Sequence, residues 1–297
     1  MNTKSAWSVT AQNAFLSRRF YLCWHKMNLW LDSIAAGLFA FAGALLGYLF
    51  SRLPKPYWVF GYFIPLVLIL IYGVAVHFPA LSFTPPISWM MIGRKKFAVM
   101  GFIATMVLTT PLSRLPQKRD RAVVLVLMTV IVLVMSVWPF LAPIFNHNQL
   151  EHLQTRIGAD GVCRQNTDYT CGPAAAVTAL RKLGLPADEG KIAILSYTSS
   201  TTGTPPDILA EALQNEYGKD GLIAEYRAFK NLSELKQAGL TVAVVKFGFM
   251  VDHYVTVLEV TDSEVVIGDP LDGLDRMSYD DFLKKWRFAG VVLKRQP

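Results

Sequence analysis

The pattern of apolar positions divides the chain near its middle. Upstream, four apolar stretches run over Ile34–Phe50, Tyr57–Phe78, Phe97–Leu112 and Ala122–Phe145. A helix that crosses a bilayer needs roughly 17–25 predominantly apolar residues. The second and fourth stretches meet this easily, the first meets it when extended back through Leu31, and the third is the shortest. Residues 1–147 are therefore expected to be a membrane region of about four helices. Before them, Arg18, Arg19 and Lys26 alternate with aromatic residues and no small-residue cleavage site follows, which predicts an uncleaved interfacial segment rather than a signal peptide. Gly43 and Gly47 place a G-x-x-x-G pair in the first stretch, a helix-packing or dimer face or simply the small-residue content of a membrane helix.

From about residue 150 the texture is that of a globular domain, expected over 148–297. Pro173–Leu183 reads as a helix stopped by Gly184 and Pro186, Pro206–Tyr217 as a second closed by Gly218, and Leu232–Ala238 as a short third before Gly239. The period then changes. Residues 241–247, 253–260, 264–270 and 289–294 read as strands. Ser278 with Asp281 three positions later predicts a capped helix over 279–286. Helices followed by an antiparallel sheet give an α+β class.

Charge sharpens the division. Residues 1–147 hold 13 basic and two acidic residues, a balance of +11; residues 148–297 hold 16 basic and 20 acidic, a balance of −4; together they make the chain's +7. The basic excess thus flanks membrane stretches, and a nucleic-acid surface on the globular domain is excluded. Orientation stays open: with the N-terminus inside, seven basic residues fall inside and six outside. The stretches hold almost no ionisable residues of the kind a transport path needs. Three cysteines, Cys23, Cys163 and Cys171, form neither a disulfide framework nor a C-x-x-C pair, and no phosphate-binding or dinucleotide-binding glycine motif occurs.

The candidate chemistry lies in the second half. Pro173 suits the first turn of a helix, which puts Cys171 at the N-terminal end, where free N–H groups and the macrodipole favour a thiolate. Taken alone, a cysteine on an apolar helix is a common core residue. A thiolate nucleophile needs an imidazole partner. Among five histidines, His253 is the one inside the globular domain, at the start of a strand. The next strand ends at Asp269, so a hairpin can lay that carboxylate beside His253 as its orienter. Gln165, six positions before Cys171, can supply a side-chain amide to an oxyanion together with the Cys171 N–H. Each residue alone has an ordinary structural reading; their conjunction is specific.

At "RQNTDYTCGPAA", "TSSTTGTPPDILAEAL", "DHYVTVLEV" and "IGDP" the sequence resembles the papain-like, bacteriocin-processing cysteine peptidases, which cleave double-glycine leader peptides. The resemblance covers roughly 155–297. It implies a papain-like α+β fold, with Cys171 as nucleophile, His253 as general base and acid, Asp269 as orienter and Gln165 as oxyanion donor. Exporter-linked members usually carry an acidic residue before the catalytic cysteine, where this chain has Thr170, and they continue into a transporter and an ATPase. The resemblance therefore points to a free-standing, membrane-anchored relative.

The expectation is a membrane-anchored cysteine peptidase that needs no cofactor and no metal. Its partners are a peptide or protein substrate and the lipid bilayer of a bacterial inner membrane, not nucleic acid. A homo-oligomer through the transmembrane helices is a further expectation. A peptide-binding module that does not cleave, or a cell-wall amidase or transpeptidase with the same triad, are the alternatives.

Overall fold

The computed structural model describes residues 30–78, 81, 87, 94–248 and 251–296. The interfacial segment expected at the N-terminus lies outside these residues except for Trp30, as do Cys23 and His25.

Among the described residues, the upstream half contains four helices long and apolar enough to cross a membrane. Helix α1 covers Trp30–Ser51. A 3-10 turn at Tyr57–Tyr62 leads into α2, Phe63–His77, and α3 covers Lys95–Thr109. Helix α4, Lys118–Val132, passes through a π-helical turn at Leu133–Val137 into α5, Trp138–Glu151. The π turn has a local cause: Pro139 has no N–H for the carbonyl four residues back and its ring crowds that turn, so the ladder widens. Leu38, Phe41, Phe63 and Val126 are each more than 60% exposed. A water-facing surface rarely shows so much contiguous apolar area, whereas lipid suits it.

Small residues hold the bundle together. A side chain at Gly43 would meet the Phe102 carbonyl and Thr105, and one at Gly47 would meet the Met106 carbonyl and Thr109. The two glycines let α1 lie against α3, and Thr105 Oγ1 donates to the Ala40 carbonyl across the contact at 2.8 Å. The G-x-x-x-G face is thus used within the chain. The four expected stretches coincide with these helices, but the last runs on through residue 151, past the change in charge at 147.

The downstream half begins with a two-stranded ribbon, β1 (Arg156–Ile157) and β2 (Cys163–Arg164). Helix α6, Cys171–Lys182, is buried from Cys171 to Leu180 because alanines and Val177 leave it no polar face; it stops at Gly184, whose φ of +72° suits glycine. Helix α7, Glu189–Leu195, is capped by Asp188, which accepts from the Lys191 N–H at 2.8 Å. Helix α8 is Pro206–Tyr217. Strand β3, Leu222–Ala228, and the short helix α9, Leu232–Ala238, precede β4 (Thr241–Gly248), β5 (Val251–Val260), β6 (Glu264–Asp269) and β7 (Gly273–Ser278). Helix α10, Tyr279–Lys285, starts at Ser278, whose hydroxyl accepts from the Asp281 N–H, and β8, Trp286–Arg295, ends the described chain.

Six strands form one antiparallel sheet in the order β3-β8-β4-β5-β6-β7. One core joins α6 and α8 to the sheet through Leu180, Leu209, Leu213, Val242 and Leu293. A second gathers Leu235, Val255, Ile267, Phe282 and Trp286 around α9 and α10. Thr256 Oγ1 donates to the Ala175 carbonyl at 2.7 Å, which sets the depth of α6 on β5. The class is α+β with a papain-like domain behind a helical region, as expected. Strands β3 and β7 and helix α7 were not. The first two are edge strands whose partly polar sequences need only one neighbour, and α7 is too short to show a period.

Candidate active site

Cys171 opens α6 and is 8% exposed. His253 lies near the start of β5 and is buried. Asp269 is the last residue of β6. The hairpin brings the last two together: His253 Nε2–H donates to Asp269 Oδ1 at 2.8 Å. That carboxylate oxygen also accepts the Leu271 N–H at 2.8 Å, so the turn after β6 holds it in place. With Nε2 committed, the other ring nitrogen is the one left for Cys171, which lies near enough to raise the imidazole pKa.

Electrostatics follow from this arrangement. Burial alone would lower the imidazole pKa, but the hydrogen bond to Asp269, the neighbouring Cys171 and the Asp269 charge outweigh it and hold His253 at about 9. Burial would raise the Asp269 carboxyl, yet the His253 hydrogen bond, the Leu271 N–H and the imidazolium charge pull it below the usual carboxylate range. The imidazolium form is therefore favoured at neutral pH. Phe247, 65% exposed, sets its ring 5.5 Å from the imidazole at the edge of the site.

Gln165 lies just beyond β2. Its N–H donates to the Pro270 carbonyl at 3.1 Å, one residue past Asp269, and its carbonyl accepts from Arg156 at 3.0 Å. Its side-chain Nε2 donates to the Thr167 carbonyl at 2.8 Å, and its Oε1 is buried without a partner among the described residues. One Nε2–H is thus engaged in shaping the 165–170 loop. The structure therefore ties Gln165 to the turn that bears Asp269, and the loop it opens runs directly into Cys171.

Cys163 is a different kind of thiol. It is fully buried in β2, its N–H donates to Thr178 Oγ1 at 2.9 Å, and burial, with the nearby Glu189 charge, pushes it up to about 12. A thiol so protonated at neutral pH is inert.

Three supporting groups escaped the sequence reading. Asp160 accepts from Arg164 and from the Leu274 N–H, at 3.0 and 2.9 Å, while Arg164 donates to the Leu271 carbonyl at 3.2 Å; this clip fastens the Asp269 turn to β2. Its backbone hydrogen bonds, to Leu274 first, hold Asp160 below the usual carboxylate range. Gly273 at φ +95° passes under the clip where a side chain would collide with both residues. Tyr254 Oη donates to the Thr204 carbonyl at 2.7 Å, and Thr204 packs on Gly172 beside the nucleophile candidate. Glu189, wholly buried, accepts from the loop that bears Gln165. In sequence, nothing around Asp188–Gly190 distinguishes a buried carboxylate from a solvated one.

The upstream helices touch this frame. Trp138 Nε1–H donates to Thr201 Oγ1 at 3.0 Å, the Ser200 N–H donates to Asn146 Oδ1 at 3.2 Å, and Tyr169 Oη donates to Gln149 Oε1 at 2.9 Å. Arg94 is buried, donates to the Phe140 carbonyl at 3.3 Å, lies 3.5 Å from Asp32 and stacks over the Tyr197 ring. Gly190 lets the Leu150 carbonyl approach where a side chain could not fit.

Comparison with known proteins follows the same boundary. An uncharacterized protein of Methanothermobacter marburgensis is 29% identical over 144 residues, 48% of this chain and 95% of its own length. One of Methanothermobacter thermautotrophicus is 27% identical over 141 residues, 48% of this chain and 92% of its own length. Among solved structures, the peptidase domain of Streptococcus ComA, a bi-functional ABC transporter, is 22% identical with a TM-score of 0.39, covering 45% of this chain and 96% of that one. A double glycine motif protease from an AMS/PCAT transporter, solved with its leader peptide, is 17% identical with a TM-score of 0.38, covering 48% and 93%. The sequence model of the Peptidase C39 family matches residues 160–297, the stretch that holds Gln165, Cys171, His253 and Asp269. Residues 160–297 are thus similar to the peptidase C39 family, and the downstream half of the chain is a cysteine peptidase domain, carried behind four apolar helices among the described residues.

Proposed function

We propose that Cys171, His253, Asp269 and Gln165 form the catalytic site of a membrane-anchored peptidase that cleaves leader or exported peptides. The observation that carries this reading is the His253–Asp269 bond at 2.8 Å, which leaves the remaining ring nitrogen for the neighbouring Cys171. Proton transfer from thiol to imidazole gives a thiolate–imidazolium pair. The thiolate attacks the scissile carbonyl, forming the C–S bond and placing negative charge on the carbonyl oxygen. The Cys171 N–H and a Gln165 Nε2–H receive that charge. As the tetrahedral intermediate collapses, the C–N bond breaks and imidazolium gives its proton to the leaving amine. Neutral His253 then takes a proton from water, hydroxide adds to the thioester, and the acid leaves as the thiolate reforms. Asp269 keeps the ring oriented and favours its charged form throughout.

The test is direct. Full-length protein in nanodiscs is given a quenched fluorescent peptide containing a Gly-Gly bond, and products are identified by mass. Cleavage that vanishes in Cys171→Ala supports the reading. Binding of the peptide with no cleavage by the parent protein would replace it with a non-cleaving peptide module. Products joined to a second amine would indicate acyl transfer of the cell-wall kind.

A further inference from the structure

We infer that Glu189 is a positioning residue of this site: its carboxylate clamps the loop that connects Gln165 to Cys171 and so sets the oxyanion donors. This rests on the proposed role of Gln165. Glu189 is 0% exposed, among the largest fully buried side chains in the chain. A buried carboxylate is costly unless its acceptors are filled. Here they are filled by a single segment. Oε1 accepts the Asn166 N–H at 3.0 Å and Oε2 accepts Asn166 Nδ2–H at 2.5 Å, while the Thr170 hydroxyl, which donates to the Thr167 carbonyl at 3.3 Å, lies close enough to lower the Glu189 carboxyl pKa against its burial. Asn166 follows Gln165 directly and Thr170 precedes Cys171 directly, so the carboxylate bonds one end of the loop and lies beside the other, which the Thr167–Thr170 bonds tie back to it.

The neighbours reinforce this. Thr170 Oγ1 also accepts from the Thr167 N–H at 3.2 Å, and Gln165 Nε2 donates to the Thr167 carbonyl, so the turn at Thr167 and the amide are fixed together. Asn166 Nδ2 donates a second bond to the Gln154 carbonyl at 2.8 Å. Glu189 is itself anchored: its own N–H donates to Thr155 Oγ1 at 2.9 Å, and Thr155 donates to Asp188. Burial raises its carboxyl pKa, and the hydrogen bonds from Asn166 and the neighbouring Thr170 hydroxyl act against that shift. An oxyanion donor must sit within tenths of an ångström of the developing charge, and a misplacement of about 1 Å costs roughly 10²-fold in rate. A loop bonded to one buried charge at Asn166 and closed on itself between Thr167 and Thr170 supplies that precision.

The experiment uses two reagents on the full chain in detergent. Iodoacetamide alkylates a thiolate by displacement and forms no oxyanion. p-Nitrophenyl acetate acylates it through a tetrahedral oxyanion. Rates at Cys171 are taken after subtracting Cys171→Ala. Glu189→Gln keeps one acceptor for the Asn166 N–H but sets an amide N–H against Asn166 Nδ2–H. Acylation should fall at least about tenfold while alkylation stays within about twofold. In a Gln165→Ala background the Glu189→Gln change should add little, because the donor it positions is gone. Equal loss with both reagents, unchanged acylation, or full additivity with Gln165→Ala overturns the clamp. If Gln165→Ala alone leaves acylation unchanged, the oxyanion role of Gln165 fails, which is a separate result. Should Glu189→Gln not fold, Asn166→Ala breaks the same clamp from the loop side and is read the same way.

Discussion

His253 Nε2 and Asp269 Oδ1 stand 2.8 Å apart, sixteen residues distant in sequence, joined across the β5–β6 hairpin. The bond fixes which ring nitrogen faces Cys171 and holds the imidazole at about 9 against its burial.

A pH dependence follows from the direction of each shift. The His253 pKa is raised from 6.5 to about 9, so its contribution to stability is full below 6.5 and is lost as pH rises through about 9. The Asp269 pKa is lowered from 3.8, so its contribution is full above 3.8 and is lost as pH falls through the lower folded value. Peptide turnover should therefore decline on an alkaline limb near 9. Asp269→Asn keeps a hydrogen-bonding group without the charge, and should move that limb toward neutrality. Asp269→Ala should lower kcat by about 10² or more. An unmoved alkaline limb in Asp269→Asn would show that another group sets it.

The two buried cysteines should differ in reactivity. At pH 8 a thiol-directed electrophile should label Cys171, while Cys163, pushed to about 12, stays unlabelled until the chain is unfolded. Peptide mapping after labelling separates them. Labelling at Cys163 in folded Cys171→Ala would contradict the assignment.

The helix region offers a packing test. A valine at Gly47 would force its side chain onto Thr109 and the Met106 carbonyl. Gly47→Val should lower the melting temperature in detergent, through a cost of about 1–3 kcal/mol. Oligomeric state by light scattering should not change, because α1 uses this face on α3. A change in oligomeric state with an unchanged melting temperature would refute that use.

Contacts between the two halves make a fourth prediction. Trp138→Phe removes the donor to Thr201, and Asn146→Ala removes the acceptor for Ser200. Together they should free the 199–203 loop and speed limited proteolysis there, with little effect on cleavage elsewhere. Equal protection in parent and double variant would show that these bonds do not hold the loop.

The sequence carried those features whose cause is local. The apolar stretches, the Cys171 helix with its alanines, the Gly184 stop and the Ser278–Asp281 cap each rest on residues adjacent in the chain, and each lies where its pattern placed it. The G-x-x-x-G pair was legible as a packing face, but its partner was not: Thr105 and Thr109 are more than fifty residues away. Edge strands β3 and β7 carry charges because only one side of each is paired. Glu189 and the Asp160–Arg164 clip were invisible for a related reason. A carboxylate has the same letter whether water or protein donors surround it, and only tertiary contact decides.

One continuous helical run of 34 residues, from Lys118 to Glu151, joins the apolar bundle to the peptidase half. At about 1.5 Å per residue it is roughly 50 Å long, against a hydrocarbon thickness of about 30 Å. Its far end is gripped by Gly190 and by Tyr169, two residues before Cys171. A tether of loose chain would let a protease sample a volume; a strut of this kind sets an altitude. On the proposed reading, Cys171 is held at one distance from the apolar bundle, so that position as well as sequence selects the bond to be cut. The proposed substrate is then a peptide that presents its bond at that distance.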